Sequence, residues 1–292
     1  MSNIIFPEGI TWTQRYVTGG DFLDEGFDAM GKMYEYAKNP IIKVKININN
    51  SCESLLERAL SFTCAPLDTS DVTNMTRMFY ACENLKSIPQ LDTSNVTDMS
   101  YMFGSNSSAG NRLITIPQLD TSNVTNMKGM FYYCGRLKTI PQLDTSNVTD
   151  VQQMFYQCTQ LIELPDFNCV KVTNFASWLY YCTNLRKLGV VDCDSVTNIQ
   201  YFFGSSALNS LTDFGGCKNL GKASSVSNTN GNYFMNYVPN LTYESVMNVI
   251  NGLYDRASAG LSVLTLKLHA NHLAMLSEDD IAIATNKGWT IV

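Results

Sequence analysis

Only two histidines occur in the 292 residues, His269 and His272. They stand three positions apart near the end of a predicted strand, with no cysteine or carboxylate at ligand spacing. A protein-built metal site needs more donors than that, so the pair reads as polar loop residues. The nine cysteines are odd in number and contain no CxxC pair, which argues against a full disulfide framework and against a zinc ribbon. Cys82, Cys134, Cys158 and Cys182 recur at one phase of a repeat. They read as buried free thiols acting as small hydrophobes. Cys169 and Cys193 share another phase on adjacent copies, where the alternatives are a disulfide and two free thiols. A cysteine nucleophile needs a base, and both histidines lie far from these positions in sequence. The chain has no phosphate-binding loop, no G-x-S-x-G and no G-x-G-x-x-G. The expectation is a protein that is not an enzyme and carries neither a cofactor nor a metal.

Other repeated residues point to turns or surfaces rather than to catalysis. Asp68, Asp92, Asp120 and Asp144 recur in phase. A column of carboxylates could hold Ca²⁺, but bonding to the local backbone N–H groups of a turn is the simpler reading. Asp166, Asp192 and Asp213 are read as out of phase, which breaks the column. Asn95, Asn123 and Asn147 each open an Asn-Val-Thr sequon, read as turn residues. Two stripes are candidate binding surfaces. Tyr80, Tyr132, Tyr156 and Tyr180 each follow a core position, with Tyr133 and Tyr181 beside them. Tyrosine suits interfaces because its body is apolar and its tip can hydrogen-bond. Lys86, Lys138 and Arg186, with Ser87, Thr115, Thr139 and Lys187, form the second stripe on predicted strands.

What must position these residues is an internal repeat. Leu67-Asp-Thr-Ser-Asp-Val-Thr-Asn-Met returns from Leu91, Leu119 and Leu143, and degenerate copies begin at Phe167, Val191 and Phe214. The period is 24 residues, with a four-residue insertion between Gly104 and Asn111. The unit is L-D-T-S-x-V-T-x-M-x-x-M-F-x-x-C-x-x-L-x-x-I-P-Q. Its apolar positions make columns, among them Met78, Met102, Met130, Met154 and Trp178, and Phe79, Phe103, Phe131 and Phe155. One coil cannot bury such residues alone, so it must stack them on the next. Met75, Met78, Phe79 and Cys82 have helical spacing, with Thr73 as cap, and the same holds for Thr97, Thr125 and Thr149. Leu85–Ile88 reads as a short strand ended by Pro89, a proline that recurs as Pro117, Pro141 and Pro165.

The unit L-D-T-S-N-V-T-D-M-S-Y-M-F with C-x-x-L-x-x-I-P resembles the BspA-like, or Treponema pallidum-type, leucine-rich repeat over roughly residues 67–214. It departs from the commoner leucine-rich repeat, which has Asn or Cys after L-x-x-L-x-L, so the horseshoe geometry of that class is not carried over. The resemblance implies a surface protein engaged in adhesion. It is similar to repeats of gut Bacteroidetes and their phages, and the tail from Leu276 to Val292 is similar to endings in such proteins. The fold class expected is α/β: a leucine-rich-repeat solenoid with short parallel strands on one face and short helices on the other, capped at both ends.

The organisation expected is an N-terminal cap or attachment region over 1–66, repeats over 67–240 and an αβ cap over 241–292. In the first, Met30 to Ala37 mimics the repeat, 41–48 alternates as a strand does and Ser54–Leu60 reads as helical. Gly215–Gly231 reads as a loop. A helix follows from Tyr243 to Tyr254 behind Thr242, then a strand over Val263–Leu268, a helix opened by Ser277 and a strand over Trp289–Val292. Charged residues are only 16% of the chain and the net charge is −6, unsuited to nucleic acid or to anionic membranes. No apolar run reaches the length of a membrane span. The opening residues do not read as a secretory signal, which leaves the export route open and tilts the reading toward a virion or a lysis-released protein. The partner expected is a protein or cell-surface glycan receptor, met on a cell surface or from a phage tail fibre. A structural assembly protein forming a homo-oligomer is the second reading, and a carbohydrate-active module the third.

Overall fold

The backbone N–H groups of Met75, Arg77, Phe79 and Ala81 do not bond within their own segment. They donate to the carbonyls of Asp98, Ser100, Met102 and Gly104 at 2.8–3.0 Å. The same four-rung pattern joins Met99 to Asn126, Met127 to Asp150 and Val151 to Asn174, and each continues to the end of the segment. Equivalent residues of successive stretches therefore lie side by side, in parallel. The computed structural model describes residues 44–45, 67–88, 90–107, 110–204, 208–223 and 235–292. The cap expected over 1–66, with its strand at 41–48 and helix at Ser54–Leu60, lies outside these apart from Val44 and Lys45, as does Pro89.

This ladder corrects the helix expected at each Met-x-x-Met-Phe-x-x-Cys. An α-helix would direct those N–H groups to carbonyls four residues back. Here the alternate groups make three-residue turns, Met78 to Met75, Tyr80 to Arg77 and Cys82 to Phe79. The helix is broken by left-handed residues. Arg77, Tyr101, Gln153, Ser177 and Tyr201 occupy one phase at φ 54 to 58°, with Gly129 at 60° among them. Ala81, Tyr133, Gln157 and Tyr181 occupy a second. Left-handed φ costs a non-glycine residue about 1 kcal/mol or more. The rungs to the neighbouring stretch offset that cost.

Thr97, Thr125, Thr149 and Thr173 are not helix caps. Each donates its backbone N–H to the preceding threonine's carbonyl, at Thr73, Thr97, Thr125 and Thr149. Their hydroxyls point to the same acceptors. Asn95, Asn123 and Asn147 also reach back a stretch, donating to the carbonyls of Ser70, Ser94 and Ser122. A further column runs Asn74, Asp98, Asn126, Asp150, Asn174, Asn198, linked by parallel bridges. Each side-chain oxygen accepts the N–H two residues on, as at Ser100 and Gln152. Asn126 donates to Asp98 at 2.9 Å. Alternating amide and carboxylate places a donor beside each acceptor and keeps the charges two rungs apart, which weakens their repulsion.

The interior is one continuous apolar cluster from Val72 to Trp289. Phe79, Phe103, Phe131 and Phe155 stand in file, ring on ring, at 5.7, 5.5 and 5.4 Å with interplanar angles of 15° or less. Trp178 then meets Phe155 edge-on. Cys134, Cys158 and Cys182 are buried and point at the carbonyls of Phe103, Phe131 and Phe155. Burial pushes the Cys134 and Cys182 thiols up to about 12, so they stay protonated packing groups. The seven described cysteines form no disulfide with one another, Cys169 and Cys193 included.

Regular strands are short. β1 (Val44–Lys45) pairs with β2 (Leu67–Asp68). β3 (Glu163–Leu164), β4 (Lys187–Leu188) and β6 (Asp213–Phe214) form a parallel sheet. β5 (Val191–Asp192) pairs with β7 (Cys217–Lys218). Leu85–Ile88 and its counterparts at 113–116 and 137–140 form no regular strand and carry isolated rungs instead. β7 also corrects the expected loop at Gly215–Gly231, of which 224–231 lies outside the described residues. Asp192 is in phase with Asp144, with Asn168 between them, because Val191 bridges Phe167. The aspartate column therefore resumes where it was read as broken.

At the C-terminal end, α1 (Tyr243–Gly252) is capped by Thr242, which accepts from Ser245 N–H. β8 (Leu264–Leu266) pairs in parallel with β9 (Trp289–Ile291). α2 (Ala270–Leu273) lies between β8 and α3 (Glu278–Asn286). Ser277 and Asp280 close a capping box at the start of α3. Arg256 is fully buried and donates to the carbonyls of Gly221, Ala223 and Ser262, tying the last repeat stretch to this end.

Candidate binding surfaces

The turn run that replaces the helix sets the tyrosines shoulder to shoulder. Tyr132 and Tyr156 stack at 5.1 Å, and Tyr156 and Tyr180 at 4.8 Å with an interplanar angle of 1°. Tyr133 tilts against Tyr156, and Tyr181 meets Tyr180 edge-on. Tyr101 bridges Tyr80 and Tyr132, and Tyr201 extends the row beyond Tyr180. All are half-buried except Tyr181, which is exposed. The structure thus brings together Tyr80, Tyr132, Tyr156 and Tyr180, and adds two rings that sequence reasoning missed. Tyr101 and Tyr201 sit two positions ahead of the phenylalanine column rather than after it, and only cross-stretch packing unites them with the rest. Gly129 makes that packing fit: a Cβ there would lie 2.3 Å from the Tyr101 ring. The Arg77 guanidinium lies 5.2 Å from the Tyr80 ring centre and 5.8 Å from that of Tyr101. Burial, with the neighbouring phenols, pushes the Tyr132 hydroxyl up to about 12. Tyr132 is therefore uncharged and able to donate a hydrogen bond at neutral pH.

The second stripe lies on the strand side. Lys138 N–H donates to the Ile114 carbonyl, Ile162 to Lys138 and Arg186 to Ile162, each at 2.8–2.9 Å. Lys138 and Arg186 are exposed on this ladder, and Lys86 occupies the same phase. The unforeseen members are Ile114 and Ile162, 54% and 40% exposed between the cations. Of the flanking residues named from sequence, Lys187 faces Asp213 at 3.4 Å.

The other candidates resolve into structure. Asp92, Asp120 and Asp144 each accept the N–H of the serine two residues on. The hydrogen bonds from Ser122 and Ser146 hold the Asp120 and Asp144 carboxyls below the usual range. Among the described residues no group of three or more His, Cys, Asp or Glu is placed to hold a metal ion. Nor, among them, is any helix long and apolar enough to cross a membrane. Cys217, 24 residues beyond Cys193 and left out of the sequence reading, meets the Cys193 thiol with its side chain, while the strand register sets its backbone beside Val191.

The histidines are not the polar loop residues expected. His269 caps α2, its Nδ1 accepting from Asn271 N–H. His272 is fully buried, and neither ring nitrogen finds a partner. Desolvation, with His269 second, lowers its pKa from 6.5 to about 4. A depressed histidine is neutral in the folded state and takes its proton more readily when unfolded. Stability is therefore full above about pH 6.5 and falls as the pH drops toward 4, by up to about 3 kcal/mol. Urea titrations at pH 7.5 and 4.5 should show this loss, and a His272→Phe variant should show less of it. Equal pH dependence in the two proteins would refute the assignment.

A family model described as "Mycoplasma protein of unknown function, DUF285" matches residues 50–161 and 109–214. No curated protein and no solved structure matches the chain.

Proposed function

The chain belongs to the DUF285 family, a BspA-like repeat family, and from that premise we propose that it is a non-catalytic binding protein, an adhesin or receptor-recognition protein acting through its repeat surface. Its fold in this reading is a leucine-rich-repeat solenoid closed at both ends. The observation that carries the reading is the row of tyrosines from Tyr80 to Tyr201, packed ring to ring and left half-exposed. A row held by its own neighbours loses little side-chain freedom when a partner arrives, which favours binding. The extent of the row over six stretches supports macromolecular rather than small-molecule binding. The partner is a protein or cell-surface glycan receptor, met on a bacterial surface of the gut-Bacteroidetes kind or from a phage tail fibre.

The test replaces Tyr132, Tyr156 and Tyr180 together by serine. Binding to target cells should fall about tenfold or more, since aromatic anchors dominate interface energies. The melt should retain a single cooperative transition, because the phenylalanine file beneath is untouched. Undiminished cell binding by a folded variant would discard the row as the site.

A further inference from the structure

We infer that the strand side docks an acidic, amphipathic helix of another protein. The inference rests on the binding reading above and names a partner class for the second stripe. Across the four exposed or core-flanking phases from Asn84–Ser87 to Ser210–Asp213 there are six cations and two carboxylates, Glu163 and Asp213. The difference, 6 − 2, is +4 in a chain whose net charge is −6. Asp213 is already engaged by Lys187. Among the described residues, Lys86, Arg112, Arg136, Lys138 and Arg186 are exposed and make no ion pair. A basic strip on an acidic protein draws an acidic partner.

The order of residues along the strip narrows the class. It reads Lys86, Ile114, Lys138, Ile162, Arg186, with the exposed isoleucines 54% and 40% open. A sulfated glycan would satisfy the cations and leave both isoleucines without an apolar partner. A peptide can offer both kinds of side chain. Adjacent rungs lie about 4.8 Å apart, so like residues recur about every 9.6 Å. Seven residues of α-helix rise about 10.5 Å. A helix lying along the stack therefore presents a carboxylate each heptad to Lys86, Lys138 and Arg186. Its apolar residues three or four positions later meet Ile114 and Ile162. The long basic side chains absorb the small mismatch. An extended peptide repeats on one face about every 6.8 Å and falls out of step within two rungs.

The probe is a fluorescein-labelled synthetic helix of three heptads, with glutamate first and leucine fourth in each and alanine or glutamine elsewhere. A scrambled peptide of identical composition and a heparin fragment are the comparators, read by anisotropy against the whole chain. Saturable binding of the patterned helix is expected. It should weaken about tenfold for the scrambled peptide, for K138E/R186E and for I114S/I162S, the size expected for loss of central charged or apolar contacts. All four substitutions lie at exposed positions, and an unchanged melt verifies folding. Equal binding of the scrambled peptide, absence of saturable binding, or heparin binding indifferent to I114S/I162S each overturns the inference. If target-cell binding is lost in the tyrosine variant but kept in both strip variants, this inference fails and the binding reading stands. If cell binding survives in all three, both fail.

Discussion

Replacing Phe131 by alanine lowers unfolding free energy by about 3–5 kcal/mol, the range for truncating a fully buried phenylalanine. The size follows from its place in the file. Its ring lies 5.5 Å from Phe103 on one side and 5.4 Å from Phe155 on the other, nearly parallel to both. One truncation thus removes two ring contacts and leaves a cavity between stretches whose separation is fixed by backbone rungs. Those rungs, from Phe131 N–H to the Met154 carbonyl and from Phe103 N–H to the Met130 carbonyl, stop the neighbours from collapsing into the gap. Phe131→Leu, which keeps most of the volume, should cost under about 1.5 kcal/mol. Urea unfolding followed by far-ultraviolet circular dichroism measures both. A loss below 1 kcal/mol for the alanine variant would show that the file does not hold the stretches together.

Arg256→Ala is expected to cost about 3–5 kcal/mol, the loss seen when one partner of a buried charged network is removed. The guanidinium is wholly buried and, among the described residues, faces no carboxylate. Its charge is met by the carbonyls of Ser262 at 2.7 Å, Ala223 at 3.0 Å and Gly221. Removing it strands three acceptors at once, the Gly221 carbonyl buried and those of Ala223 and Ser262 part-buried. Those acceptors belong to the last repeat stretch and to the segment before β8, so the damage is directional. Hydrogen exchange should accelerate across Leu264–Leu266 and Trp289–Ile291 more than at the rungs around Phe131. Arg256→Lys should rescue little, because one ammonium cannot reproduce the planar fork. A variant with unchanged exchange at β8 and β9 would place the keystone elsewhere.

The buried columns were legible from period alone. Val72, Met75, Met78, Phe79 and Leu85, and their counterparts, are all buried. The capped helices α1 and α3 were legible too, because Thr242 and Ser277 announce themselves by local chemistry. The turn run was not. Apolar residues at i, i+3, i+4 and i+7 say which side chains face inward, and not whether an N–H goes to its own segment or to the next. The left-handed phase is filled by Arg77, Tyr101, Gln153 and Ser177, and Gly129 is its lone compositional clue. The phase of Asp192 was hidden because Asn168 interrupts a search for aspartate. Ile114 and Ile162 were passed over because an apolar residue beside a strand reads as core. Of the candidate site, the tyrosines after the phenylalanine column could be read directly. Tyr101 could not, since its ring reaches the row only by crossing to another stretch above Gly129.

The amide–carboxylate alternation of Asn74, Asp98, Asn126, Asp150 and Asn174 has parity. Deleting the single unit that contains Asn126 would bring Asp98 and Asp150 onto touching rungs, two like charges with no amide between them. Deleting two units would restore the order. The lysine–isoleucine strip shares that parity, since Lys86, Lys138 and Arg186 also skip every second stretch. Between Asp98 and Asp150 the amide rung thus acts as an electrical spacer whose loss brings like charges together, a requirement that lapses where Asn174 and Asn198 stand on adjacent rungs.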